Sequence, residues 1–318
     1  MALRIAFGAT LGFALAELAA TPIFFFPPLM AVQFLAAMRQ PLSLGQGISL
    51  ILLTALLNGL LLVVAGAFAG QPPVCILLLG LLLFFGFLLD TGGKTMPATL
   101  LLTLAAIIPL VSVQSEDAAA SLAGAIVEAI VFGVLIAWVM FALLPPPLAF
   151  APTQPPFRQM SPRTALADTM VLLPVLVLFM TSGRMSFIVL MVIIAIIRAG
   201  NQGEASRSGL SLFFANLLGG GAATIAYGII TVQPGLVFFL LIVALAGLAF
   251  GARIAINAAT APIFTMAFVT FIILLGLGVS PLPTETGEAF VNRLMDVVLA
   301  GLYAVGAGSL VIYGRREC

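Results

Sequence analysis

The chain has 318 residues, 63% of them hydrophobic and 7% charged, with a net charge of +1 and no histidine. Soluble domains carry about 25% charged residues, so this composition excludes a water-soluble globule, and no basic tract is long enough to hold nucleic acid. Of the two cysteines, Cys75 lies in an apolar run and Cys318 is the last residue, so neither a disulfide framework nor a Cys/His zinc site can be built.

A helix needs about 20 residues to cross the hydrocarbon of a bilayer. The apolar runs therefore predict an all-α, polytopic membrane protein of twelve transmembrane helices. The first span, 3–20, resembles a signal peptide, with Arg4 before an apolar stretch and Ala19 and Ala20 after it. Glu17 interrupts the apolar region, so the segment is read as a retained span. The next five are 23–38, 47–69, 73–90, 96–113 and 119–144. A run of prolines from Pro145 to Pro162 forbids a continuous helix over 145–163 and reads as a linker. Six more spans follow at 164–181, 185–200, 208–231, 235–252, 256–278 and 288–313. The second and eighth are short, and any break in them must face protein or water.

Ten of the 12 basic residues fall in alternate gaps: Arg4, Arg39, Lys94, Arg158, Arg163, Arg198, Arg207, Arg253, Arg315 and Arg316. The other gaps hold mainly acids, among them Glu116, Asp117, Glu285 and Glu288, with Arg184 and Arg293 as the basic exceptions. This is the positive-inside pattern, and it predicts cytoplasmic N- and C-termini and an even number of spans.

The linker divides the chain into a first six-helix region (1–144) and a second (164–318). The two share weak features: Gln71-Pro72 and Gln233-Pro234 each follow the third span of their half. Asn58 and Asn216 each sit about mid-span, and Lys94 with Pro97 finds a counterpart in Arg253 with Pro262. Six is even, so the halves are expected as parallel six-helix repeats about a pseudo-two-fold along the membrane normal.

Several polar residues stand out against the apolar background. Glu128 lies mid-span, where an ionisable group is expensive and marks a functional site by default. It is a candidate proton-coupling acid, or else a neutral carboxyl bonding two helices. Glu17 could line an outward vestibule or simply be solvated. Asp90 ends the fourth span, where the helix dipole opposes an anion, so it needs a cation, with Lys94 or Arg253 as the expected partner. Together Lys94 and Arg253 would draw an anion inward, or serve as ordinary topogenic charges. Asn58 and Asn216 are candidate substrate contacts, or packing hydrogen bonds. Asp168 opens the seventh span and reads as structural. The GxxxG pairs Gly8/Gly12, Gly66/Gly70 and Gly247/Gly251 would let helices approach closely, and Gly219-Gly220-Gly221 is expected to loosen or bend the ninth span. The chain carries no P-loop, nucleophile elbow or metal-binding cluster, so neither an enzyme nor a cofactor is expected.

The stretches LRIAFGATLGFALAEL at 3–18, FFFPPLMAVQFLAA at 24–37 and DTGGKTMPATLLLTL at 90–104, with the six-plus-six layout, resemble the fusaric acid resistance / aromatic acid exporter superfamily. That resemblance implies a compact, transmembrane-only exporter in a bacterial inner membrane, driven by protons and handling aromatic or organic acids or amphipathic drugs. It also implies a HlyD-type periplasmic adaptor with an outer-membrane channel. Many members of the superfamily carry a large cytoplasmic domain where this chain has only its proline-rich linker. Two rival readings are an organic-anion channel, which needs no coupling acid, and a non-transporting membrane scaffold subunit. Either a monomer or a homodimer is compatible with internal repeats.

Overall fold

The computed structural model describes residues 1–38, 40–67, 71–93, 95–146, 161–182, 187–200, 205–257 and 260–279. Among them stand eleven helices and no strand: α1 (Ala2–Leu18), α2 (Phe26–Ala37), α3 (Leu44–Ala67), α4 (Pro72–Thr91), α5 (Thr95–Ser112), α6 (Glu116–Leu143), α7 (Pro162–Ser182), α8 (Phe187–Gly200), α9 (Ala205–Val232), α10 (Leu236–Ile256) and α11 (Ala261–Val279). Each of the first eleven expected spans coincides with one of these helices to within five residues. The expected span at 288–313 and most of the proline-rich linker lie outside the described residues.

Among the described helices, α3, α4, α6, α7, α9, α10 and α11 are long and apolar enough to cross a membrane, and α2 and α5 contain shorter apolar helices. The protein is therefore an all-helical, multi-pass membrane protein. Helix is what hydrocarbon demands of a single segment, because every interior N–H and C=O finds its partner within the same helix. Prolines open several of the helices. Pro72 and Pro73 start α4, Pro27 and Pro28 lie in the first turn of α2, and Pro162 starts α7 inside the expected linker. A first-turn proline forfeits an N–H that has no intrahelical acceptor anyway.

Helix α1 stops in a Schellman arrangement. The Thr21 N–H donates to the Ala16 carbonyl (3.1 Å) and the Ala20 N–H to that of Glu17 (3.2 Å). Ala20 takes the left-handed conformation this needs, with φ of 49°, at a position where glycine is the usual occupant.

The chain forms two compact units: one of residues Met1–Leu53, Gly124–Ala151 and Ser211–Leu294, the other of Thr54–Ala123, Pro152–Leu210 and Met295–Cys318. Each draws on both halves of the chain. In the first, α1 packs on α2 and α10, and α11 packs on α10 and α2. In the second, α4 packs on α5 and α7, and α8 packs on α5 and α7.

Glycine sets the spacing in both. In lipid no hydrophobic force pulls apolar helices together, so close approach and dispersion carry the association. A Cβ built on Gly12 would lie 2.5 Å from the Pro28 Cα of α2, and one on Gly8 would strike the end of the Leu35 side chain. Across the other face of α1, a Cβ on Gly247 would lie 2.7 Å from the Ala6 Cα, and one on Gly251 would lie 3.0 Å from the Ala2 carbonyl. Two of the three GxxxG pairs thus sit at real helix contacts. The same device recurs in the second unit, where Gly86 faces Leu102 at 2.7 Å and Gly80 faces Leu173 at 3.2 Å. Phenylalanines fill the space that remains. Phe13, Phe24 and Phe239 cluster with centroids 4.9–5.8 Å apart, and Phe250, Phe268 and Phe271 form a second group.

Helix α9 runs unbroken from Ala205 to Val232 through Gly219-Gly220-Gly221. Gly219 serves contact: a Cβ there would strike the Ala267 carbonyl of α11, whereas Gly221 faces open space.

Two stability predictions follow from this geometry. Gly12→Ala pushes a methyl into backbone that cannot rotate away, and should cost about 1–3 kcal/mol. Gly59→Ala, with nothing within 4 Å, should be neutral or slightly stabilising; thermal unfolding of the two variants in detergent separates them. Ala20→Gly relieves a left-handed alanine and should add about 1 kcal/mol, read as a raised unfolding temperature.

Candidate functional site

The second unit holds a charge cluster at the ends of three helices. Asp90, in the last turn of α4, is buried at 8% exposure. Arg198 of α8 binds one of its oxygens twice, Nη2 to Oδ1 at 2.7 Å and Nε to Oδ1 at 3.0 Å. Its Nη1 donates to Thr99 Oγ1 of α5 at 2.7 Å. The need for a cation at Asp90 is real, but the partner is Arg198, in place of the expected Lys94 or Arg253. Helix α8 ends where α4 ends because both pack on α5 and α7, and the last turn of α8 favours a cation as strongly as that of α4 opposes an anion. Arg253 lies in the first unit, exposed on the last turn of α10. Lys94 lies outside the described residues. Arg198 was counted with the gap charges although it lies within the expected eighth span, 185–200, and that position is the signal that could have singled it out.

The two asparagines are buried at 3% exposure each, and each bonds within its own unit. The Asn58 amide of α3 donates to the Ala123 carbonyl of α6 at 3.4 Å, and its Oδ1 is sealed without a partner. Asn216 Oδ1 of α9 accepts from Thr270 Oγ1 of α11 at 3.0 Å. These bonds tie helices together at mid-span.

Glu128 is half-buried within the 28-residue helix α6 and makes no hydrogen bond or ion pair with a described residue. It lies about 18 Å along the axis from the start of α6 at 1.5 Å per residue. It shares a helix face with Gly124, Leu135 and Val139, which are exposed, and open space lies before Gly124. Glu17 is exposed at the end of α1, next to the Schellman turn. Asp168 is buried on α7.

One charged residue that sequence reasoning used only for topology has a distinct environment. Arg4, in the first turn of α1, is buried at 8% exposure, and its guanidinium carbon lies 4.5 Å from the centre of the Phe141 ring of α6. Nearby, the Trp138 indole N–H donates to the Leu42 carbonyl at 2.9 Å. Open apolar grooves run along two helix seams, one of about 650 Å³ between α1 and α6 and one of about 680 Å³ between α4 and α7.

Residues 1–140, covering α1 to α5 and most of α6, match the model of a family described as a protein of unknown function (DUF2955). Comparison with curated proteins and with solved structures finds no match.

The Asp90–Arg198 pair yields a double-mutant prediction. Removing one member leaves the other charge buried and uncompensated, so Asp90→Asn or Arg198→Gln alone should destabilise by about 2 kcal/mol, below the range for a sealed pair because Arg198 keeps some contact with solvent. The combined variant should recover most of that loss, as read from detergent unfolding of all four proteins.

Proposed function

We propose that this protein is a secondary transporter of a bacterial inner membrane, proton-coupled, that exports aromatic or other small organic acids or amphipathic drugs. The observation that carries this reading is Glu128: a half-buried carboxyl without a partner among the described residues, deep in a helix long and apolar enough to span the bilayer. An ionised acid at the bilayer centre costs about 2.5–3.5 kcal/mol on insertion scales. That cost falls when the carboxyl takes a proton or meets water or a cation. Alternation between those conditions is what coupling to a proton gradient requires.

The parallel-repeat organisation is part of the proposal. If α1 to α5 correspond to α7 to α11, the packing of α1–α2 on α10–α11 in one unit and of α7–α8 on α4–α5 in the other becomes one pattern seen twice. Asn58 and Asn216 then occupy related places on α3 and α9, and Arg253 stands close to the counterpart of Asp90. The polar residues assigned to substrate are Asn58, Asn216, Arg253, Lys94 and Asp90, with Glu17 as a secondary proton site. Cytoplasmic termini, a periplasmic adaptor and a homodimer complete the reading and rest on charge distribution and on the resemblance to aromatic acid exporters.

The test is uptake of a labelled aromatic acid into inverted vesicles with and without an imposed proton gradient. Gradient-driven accumulation is expected for the wild type, and Glu128→Gln should lose it at least tenfold while keeping its elution profile and unfolding temperature. Full accumulation by that variant removes Glu128 from coupling. Equilibration without accumulation, unchanged by the variant, would replace the transporter with an anion channel. No flux for a panel of organic acids would favour a scaffold.

A further inference from the structure

Among the described residues of the first unit, a buried cation stands without an acid beside it. Arg4 is more than nine-tenths buried in the first turn of α1, where the positive end of the helix dipole opposes it. That turn contains no acid, and no side chain caps it. Among the described residues the salt bridge is that of Arg198 with Asp90, and the Arg4 side chain makes no hydrogen bond with them. The described acids of this unit are Glu17 and Glu128. Glu17 is about 20 Å from Arg4 along α1, and Glu128 about 20 Å from Phe141 along α6. Arg4 lies over Phe141 in the last turn of α6, and Ala2 packs on Gly251 near the end of α10; the dipoles of these helix ends favour a cation without supplying it a full counter-charge. The face of Phe141 is a partial substitute for an anion, weaker than an ion pair.

Next to this charge lies the α1–α6 groove. Phe7, Thr10 and Leu11 form its wall on α1, and Val139, Met140 and Leu143 its wall on α6. Phe7 is one turn from Arg4, and Met140 adjoins Phe141. The Thr10 hydroxyl donates to the Ala6 carbonyl within its own helix at 2.9 Å. A cation with no described acid beside it, next to an apolar trough of about 650 Å³, complements a molecule with one anionic group and an apolar body.

We propose that Arg4 and the α1–α6 groove bind an amphipathic organic acid, its carboxylate on the Arg4 guanidinium and its ring or chain against Phe7 and Met140. This deepens the transport reading by adding a substrate-binding cation to it, and rests on that reading only for the statement that the bound acid is carried. A carboxylate supplies the missing counter-charge and accepts from the fork of guanidinium N–H groups, while the groove shields the apolar remainder. A lipid phosphate reached by a snorkelling arginine is the competing occupant.

Trp138 is the one tryptophan of the chain and lies a single turn from Phe141, which makes binding visible without transport. The protein in phosphatidylcholine nanodiscs is titrated with 4-nitrobenzoate, a quencher of tryptophan emission, and with neutral 4-nitrobenzamide. Saturable quenching by the acid is expected, at least tenfold weaker for the amide and at least tenfold weaker for Arg4→Gln. Arg4→Lys, which keeps the charge, should fall between, and guards against a folding defect in the glutamine variant. Unchanged quenching in Arg4→Gln would overturn the proposal. So would the absence of saturable quenching in the wild type, together with an Arg4-dependent change in Trp138 emission on moving to phosphatidylglycerol nanodiscs; Arg4 would then be a lipid-headgroup anchor. A wild-type protein that binds the acid in nanodiscs yet moves none of it in vesicles would sink the transport reading and leave this site standing.

Discussion

Helix α1 depends on being able to touch two neighbours at backbone distance. Gly8 and Gly12 admit α2 on one face, and Gly247 and Gly251 of α10 admit α1 on the other. In a bilayer this contact has to replace the hydrophobic effect, because lipid tails solvate leucine as well as protein does. Phe13 is then sealed between Phe24 and Phe239, and Ala6, Ala9 and Ala16 are buried along the same helix. The position of Arg4 follows from that packing. A helix held this closely at its first turn cannot swing its arginine freely into water, so the side chain lies over Phe141.

Polar groups are few and are spent in two ways. Some tie helices: Asn216 with Thr270, Asn58 with the Ala123 carbonyl, and Trp138 with the Leu42 carbonyl. Others hold charge where helix ends make it costly or favourable. Asp90 and Arg198 solve opposite dipole problems with one contact. Among the described residues, Arg4 meets the unfavourable end of α1 with no such partner, and Glu128 stands apart on α6. Both lie in one compact unit, while the Asp90–Arg198 pair lies in the other.

Much of the helical layout could be read from the sequence because an apolar run of bilayer length has few other outcomes, and eleven spans coincide with helices on that ground alone. Pairing between helices could not. Nothing in the order of the spans says that α4 meets α7 or that α1 meets α10, and the partner of Asp90 was misassigned for that reason. Lys94 is near in sequence and Arg253 near by internal similarity, whereas Arg198 is near only once α8 packs on α5. The glycine pairs of α1 and α10 were weak signals among 31 glycines; only the backbone of a neighbour distinguishes a notch from a chance spacing. Arg4 was hidden by its own usefulness as a topogenic charge, since burial at a span end leaves no trace in composition.

The mixing of both chain halves in each compact unit has a consequence for biogenesis. Helix α1 leaves the ribosome well before its partner α10, which begins only at Leu236. At about 5–20 residues per second that separation amounts to roughly 10–40 s. Throughout that interval the face of α1 that will receive Gly247 and Gly251 has only lipid or the insertion machinery against it. The contact of α4 with α7 waits less, because a shorter stretch of chain separates them. The order of synthesis therefore lets the Asp90–Arg198 contact form before α1 meets α10.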